Sequence, residues 1–130
     1  MFAPEGLDPS ERLLPEFFRE GGYSTHMIGK WHLGFCSPEF LPRNRGFDTS
    51  FGIMTGQIDY FKHTVGTDRM TDYYRNDTPV FQTSYCGKDF TDEAIQYAKE
   101  SENQKPFFTY LAYTAPHKPV SASQKVSNNY

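Results

Sequence analysis

The chain is short of several things that would assign it quickly. Two cysteines in 130 residues, Cys36 and Cys86, supply neither a disulfide-dense scaffold nor a four-ligand metal site; one bridge or two free thiols are both open. Charge of one sign is scarce as well. Against 16 acidic residues stand 13 basic ones, for a formal net charge of −3. That excludes a generic basic nucleic-acid binder and gives an anionic membrane surface nothing to hold. No apolar run approaches the ~18 residues of a membrane span. The opening Met-Phe-Ala-Pro-Glu-Gly lacks the basic and apolar regions of a signal peptide. Phosphate-loop, dinucleotide and serine-elbow fingerprints are missing, and no Asp-Asp pair is present for a hard cation. Four histidines without close pairing do not match zinc spacings. Aliphatic residues are thin for a domain of this length, which should bury roughly two-thirds of its unfolded surface, so a partner segment is expected to complete the core.

What is abundant is aromatic: 17% of the chain, far more than a disordered tail carries. After an extended lead-in over residues 4–10, Ser10 or Leu13 caps a short helix with Pro15 at its first position. Leu14, Phe17 and Phe18 form its apolar stripe, and Gly21-Gly22 stop it. Residues 23–28 read as a strand. A second helix, capped by Asp89 or Thr91, buries Ala94, Ile95, Tyr97 and Ala98. It leads to Pro106–Tyr113, apolar on both alternate faces like a strand buried on both sides. This order predicts an α/β domain with a mainly parallel sheet flanked by helices. Residues 34–88, rich in Gly, Pro, Asp, Asn and Thr, form a long irregular middle segment that either hides short strands, such as Val80-Phe81, or wraps one face of the sheet. Ser121–Tyr130 reads as frayed.

Two clusters could carry chemistry. Gly29-Lys30-Trp31-His32-Leu33-Gly34 follows the first strand directly, where parallel α/β sheets place their ligands. Lys30 can hold an anionic oxygen, and His32 can move a proton near neutral pH. The plainer alternative is a surface loop with a half-buried Trp31. Thr114-Ala-Pro-His117-Lys118-Pro119 follows the other strand, so parallel strands bring both clusters to one sheet edge. A lone His between prolines is otherwise a rigid loop residue. His26 is expected to be packed, and His63 either lines a pocket mouth or packs a loop. Tyr60, Phe61, Tyr73 and Tyr74 could stack on a sugar, though loop packing is the simpler expectation. Asn76-Asp77-Thr78 satisfies the glycosylation pattern, with Pro79 behind it lowering occupancy.

Gly22-Tyr23-x-Thr25-x-x-x-Gly29-Lys30-Trp31-His32-Leu33-Gly34 resembles the second signature of the type I sulfatases. Leu41-Pro42-x-x-x-Gly46-Phe47-Asp48, Phe51-Gly52, Asp59-Tyr60 and Pro106-Phe-Phe-x-Tyr-Leu-Ala…His117-x-Pro119 continue the likeness. Arylsulfatase B-like enzymes are the most similar subgroup, and the match covers about residues 14–120. The resemblance implies part of an alkaline-phosphatase-like α/β sandwich and hydrolysis of sulfate esters of glycans or aryl groups. It further implies a formylglycine nucleophile, a calcium or magnesium ion, and a lysosomal or secreted location. By the same resemblance Lys30 bridges the sulfate and the formylglycine hydroxyl, His32 assists sulfate release, and His117 contacts the ester and protonates the leaving oxygen.

Departures from the family pattern accompany the matches. Neither Cys36-Ser37-Pro38-Glu39 nor Cys86-Gly87-Lys88 carries the Arg of the formylglycine motif, and the metal-binding acids have no counterparts. Lys118 does not take the place of the family's second sulfate-binding lysine. Residues 1–130 are therefore expected to be a partial sulfatase catalytic domain, with nucleophile and metal ligands in N- and C-terminal segments outside this chain. The alternative is a catalytically inactive, truncated or degenerate sulfatase-like polypeptide with a binding or structural role. A phosphatase or phosphodiesterase on the related fold is disfavoured by the intact Gly-Lys-Trp-His-Leu-Gly.

Overall fold

A computed structural model describes residues 6–101 and 104–122. The expectations for a leader and for most of Ser121–Tyr130 fall outside those residues.

Helix α1 spans Leu14–Glu20, with Leu13 as its extended cap and Pro15 in the first turn, where the missing N–H costs nothing. Its left-handed exit is at Gly22 (φ 84) rather than Gly21. The expected stripe is only partly buried. Phe18 stacks on Phe108 with ring centroids 4.3 Å apart, whereas Leu14 and Phe17 are 59% and 51% exposed.

Strand β1 (Ser24–Lys30) runs two residues beyond the expected end and pairs parallel with β2 (Thr49–Ile53) and β7 (Phe107–Ala112). β2 lies inside the segment expected to be irregular. On its far side the hairpin β5 (Tyr74–Arg75) and β6 (Thr78–Pro79) adds antiparallel, giving the order β6-β5-β2-β1-β7. A separate hairpin joins β3 (Thr64–Val65) to β4 (Met70–Thr71). The expected strand at Val80-Phe81 is corrected to Thr78–Pro79, and Phe81 is exposed. The result is a mixed α/β unit whose longer strands are all parallel.

Met27 and Ile28, adjacent on β1, enter different apolar clusters, as strand alternation requires. Ile28 joins Phe51, Ile53, Tyr60, Tyr73 and Phe90; Met27 joins Trp31, Phe47 and Met54, against Leu13 and Phe108. Helix α2 (Cys86–Glu100) starts earlier than expected, with Tyr85 as cap. Its buried residues are Cys86 and Phe90; Ile95 and Ala98 are exposed, and Ala94 and Tyr97 half-buried. β7 also departs from expectation. Phe107, Tyr110 and Leu111 are exposed, because among the described residues β7 pairs on one side only.

Polar clamps tie these layers. Arg45, 2% exposed, donates to the carbonyls of Leu7, Asp8 and Glu11 and pins the lead-in. Arg75 forks onto both oxygens of Glu93 at 2.6 and 2.7 Å, joining α2 to β5. His26, buried and stacked on Tyr97 at 4.0 Å, approaches the same carboxylate at 3.6 Å; it is the packed histidine expected. Burial alone would raise the Glu93 carboxyl, but the Arg75 fork and His26 outweigh it and pull it down to about 2.

Three strands meet tightly at Gly29, which faces both Ala112 and Gly52 in register. A Cβ on Gly29 would stand 2.0 Å from the Ala112 carbonyl oxygen, and one on Gly52 equally close to the Gly29 oxygen.

Two stability predictions follow from these contacts. Gly29→Ala loses about 3 kcal/mol or more in urea unfolding. Gly66→Ala, also at positive φ but with open space around it, loses only about 1 kcal/mol. Equal losses would mean that the dihedral rather than the crowding matters. For Glu93, depression below the unfolded value of 4.5 stabilises the fold above that pH and is lost as pH falls toward 2. Glu93→Gln therefore costs about 1–2 kcal/mol at neutral pH, after allowance for the half-exposed Arg75. The gap to the parent closes between pH 4.5 and 2 in thermal melts.

Candidate active site at the carboxyl edge of the sheet

Parallel pairing of β1 with β7, in register from Ser24↔Phe107 to Gly29↔Ala112, puts Lys30 and the Thr114–Pro119 loop at the same end of the sheet. The two clusters singled out in the sequence thus leave neighbouring strands at one edge. The half-buried Lys30 closes β1. Trp31 behind it is 5% exposed rather than half-buried. Its indole N–H is shared between the carbonyls of Gly34 and Phe40, and its backbone N–H donates to Ile53.

His32 is exposed and takes a left-handed backbone, φ 57, uncommon for a residue with a side chain. Its N–H donates to Met54 at 3.1 Å. Its ring lies so close over Gly56 that a Cβ there would be 2.7 Å from Cε1. The turn that supports His32 is itself held from beneath. Asp72, 3% exposed, accepts the backbone N–H of Met54 and of Thr55, each at 2.9 Å, and the Thr55 hydroxyl. Nothing in the sequence marks Asp72, because a loop aspartate ordinarily reads as solvated.

His117 is exposed, and its N–H donates to Thr114 at 2.9 Å. Nδ1 sits 2.8 Å from the Lys118 carbonyl, which can only accept, so Nδ1 is the donor in this contact. The hydroxyl of Tyr60, a residue 2% exposed, donates to the His117 carbonyl. Burial pushes the Tyr60 hydroxyl pKa up, keeping it a donor. Residues 54–60 therefore touch both histidine-bearing loops, through Gly56 under His32 and Tyr60 on His117.

Other candidates are packing residues. His63 is 1% exposed, stacks on Tyr73 at 3.9 Å and donates from Nε2 to Ser84 at 3.0 Å. Burial lowers its pKa, so it is neutral at pH 7. Tyr60 and Tyr73 are buried in the core, with Phe61 and Tyr74 half-buried beside them. Asn76 turns the β5–β6 hairpin at φ 54, and its Oδ1 accepts the Ser50 N–H at 2.9 Å. No disulfide joins Cys36 to Cys86; Cys36 is exposed, whereas Cys86 is buried with Sγ 3.6 Å from Thr114 Oγ1. Among the described residues, no three His, Cys, Asp or Glu side chains converge to hold a metal ion.

The profile of the Sulfatase family matches residues 2–130. Arylsulfatase J of Mus musculus is 36% identical over 133 residues, covering 98% of this chain and 22% of the relative. N-acetylgalactosamine-6-sulfatase of Homo sapiens is 32% identical over 129 residues, covering 92% and 24%. The crystal structure of Ps i-CgsB in complex with k-i-k-neocarrahexaose superposes with a TM-score of 0.88 at 26% identity, over 99% of this chain and 32% of that one. BT4656, solved with its substrate D-glucosamine-2-N,6-O-disulfate, gives a TM-score of 0.66 at 27% identity over 88% and 20%. This chain spans about a quarter of the curated relatives' length. With its whole described fold and nearly all its residues matched, the chain belongs to the sulfatase family.

Proposed function

We propose that this chain is part of a sulfuric ester hydrolase and supplies the Lys30, His32 and His117 side of its sulfate-ester site. The observation that carries the reading is the shared carboxyl edge. One ammonium and two exposed imidazoles leave adjacent parallel strands there, and residues 54–60 link their loops. In this reading the Lys30 ammonium neutralises charge that builds on the sulfuryl oxygens. His117 delivers a proton from Nε2 to the leaving ester oxygen when its ring is protonated, with Nδ1 fixed by the Lys118 carbonyl. His32 moves the proton needed as sulfate departs. Substrates are sulfated glycans or aryl sulfates, the first supported by the sulfated sugar bound to BT4656.

A calcium or magnesium ion, which the family implies, finds no fitting ligand set among the described residues, and no step here is routed through it. The formylglycine nucleophile is placed, with those ligands, in segments of the same domain outside this chain. The exposed Phe107, Tyr110 and Leu111 on β7 support such segments as the covering partner. A lysosomal or secreted location and a glycan at Asn76 rest on kinship and on the sequon alone.

In the complete domain, Lys30→Ala, His32→Ala and His117→Ala each lower kcat/KM for an aryl sulfate by about 10²- to 10⁴-fold. The 130-residue chain alone gives no turnover. Unchanged turnover in all three variants would overturn the assignment. Asp72→Asn keeps one acceptor oxygen and turns an amide NH2 toward the donors that used the other, so the Met54 or the Thr55 amide exchanges at least tenfold faster and the fold loses about 1–3 kcal/mol.

A further inference from the structure

Beside the His117 loop the surface opens into a polar cleft of about 430 Å³, within the ~300–1,000 Å³ typical of small-ligand sites. Its walls are the turn at Gln57–Lys62, the β3–β4 hairpin with Arg69, and Pro119, two residues beyond His117. The cleft therefore continues the edge on which the three proposed sulfate-site groups stand.

Its charge is positive. Lys62 and Arg69 are both exposed, and neither forms an ion pair among the described residues. Asp59 is the acid among the lining residues: its Oδ1 accepts the backbone N–H groups of Phe61 and Lys62 at 2.9 and 2.8 Å and its carboxylate attracts the Lys62 ammonium, which leaves two cations to one anion on the wall. Asp68 lies outside the lining, in the hairpin turn, with Thr67 Oγ1 at 3.5 Å. Arg69 takes a left-handed backbone, φ 51, at the hairpin's end, a conformation a side chain adopts at some cost. Two cations around a concave polar wall, one of them a planar fork, suit a tetrahedral or carboxylate anion.

We propose that this cleft is a second anion subsite, which binds a further sulfate ester on a neighbouring sugar of a polysulfated glycan while the first ester sits at Lys30, His32 and His117. The proposal rests on the sulfate-ester reading of those three residues and adds a preference for multiply sulfated chains. Lys62 attracts the anion as a point charge, and Arg69 orients it through paired N–H groups.

The test is a backbone-amide NMR titration of the complete domain. The probes are a disulfated disaccharide, the monosulfated disaccharide of the same backbone, and inorganic sulfate. The disulfated probe is expected to shift the amides of residues 30–34 and 62–69 together and to bind about tenfold tighter than the monosulfated one. The double variant Lys62→Gln, Arg69→Asn abolishes that tenfold preference and leaves monosulfate affinity unchanged. Asn accepts the left-handed backbone at position 69, and unchanged spectral dispersion verifies the fold. Shifts confined to residues 30–34, with equal affinity for both disaccharides, overturn the subsite and leave the sulfate-ester reading standing. Absence of any shift at residues 30–34 overturns both. Inorganic sulfate matching the disulfated probe at the cleft shows a simple ion site and overturns the glycan assignment.

Discussion

The meeting of three backbones at Gly29 is the constraint on which the rest depends. At φ 99 a Cβ on Gly29 would point at the carbonyl of Ala112 on β7, and a Cβ on Gly52 would point at the carbonyl of Gly29, so each position is reserved for glycine. The loops that carry the proposed site residues start within a few positions of Gly29 and its in-register partners. Lys30 is the next residue on β1, Met54 follows β2 by one, and Thr114 follows β7 by two. The three strands end nearly in register there, so the loops leave from one rim.

The rim is stiffened by groups that stand behind it. Trp31 is fixed by two carbonyls behind the chain while Lys30 and His32 flank it. Asp72 holds the backbone of the turn beneath His32. A buried carboxylate facing three donors is one of the few ways to hold an irregular turn without a strand beside it. The Tyr60 hydroxyl then crosses to the second loop. Loops that carry function on α/β sheets need such support, because their own backbone makes few repetitive hydrogen bonds.

Much of this was legible in the sequence, and each failure has its own physical cause. The two strands leading into Lys30 and His117 could be read from β-branched and aromatic runs, and their common edge from parallel topology. β2 could not, because Thr-Ser-Phe-Gly-Ile is short, contains a glycine and sits in a segment of turn formers; its pairing with β1 overrides its weak propensity. The β7 misreading has the opposite origin. An all-apolar strand reads as covered on both faces, but coverage is a property of neighbours, and among the described residues β7 has one. In α2 the stripe from Ala94 to Ala98 is apolar by letter, yet the helix seats itself through Cys86 and Phe90 near its start. Asp72 and Tyr60 were unreadable as supports, because their roles exist only through contacts spanning 17 and 57 residues.

The four histidines show how burial sorts one residue type into separate roles. His26 and His63 are each nearly sealed, stacked on a tyrosine and set beside a carboxylate. Both rings are committed to packing, and for His63 burial lowers the pKa. His32 and His117 have no aromatic partner among the ring contacts of the described residues, and both are open to solvent. Each is tied instead through its own backbone, His32 to Met54 and His117 to Thr114 and Tyr60. Anchoring a histidine by its main chain fixes where the residue stands and leaves its ring open to solvent. Sequence letters cannot make that distinction; the hydrogen-bond pattern does, and it selects the two histidines that lie beyond the carboxyl ends of adjacent parallel strands.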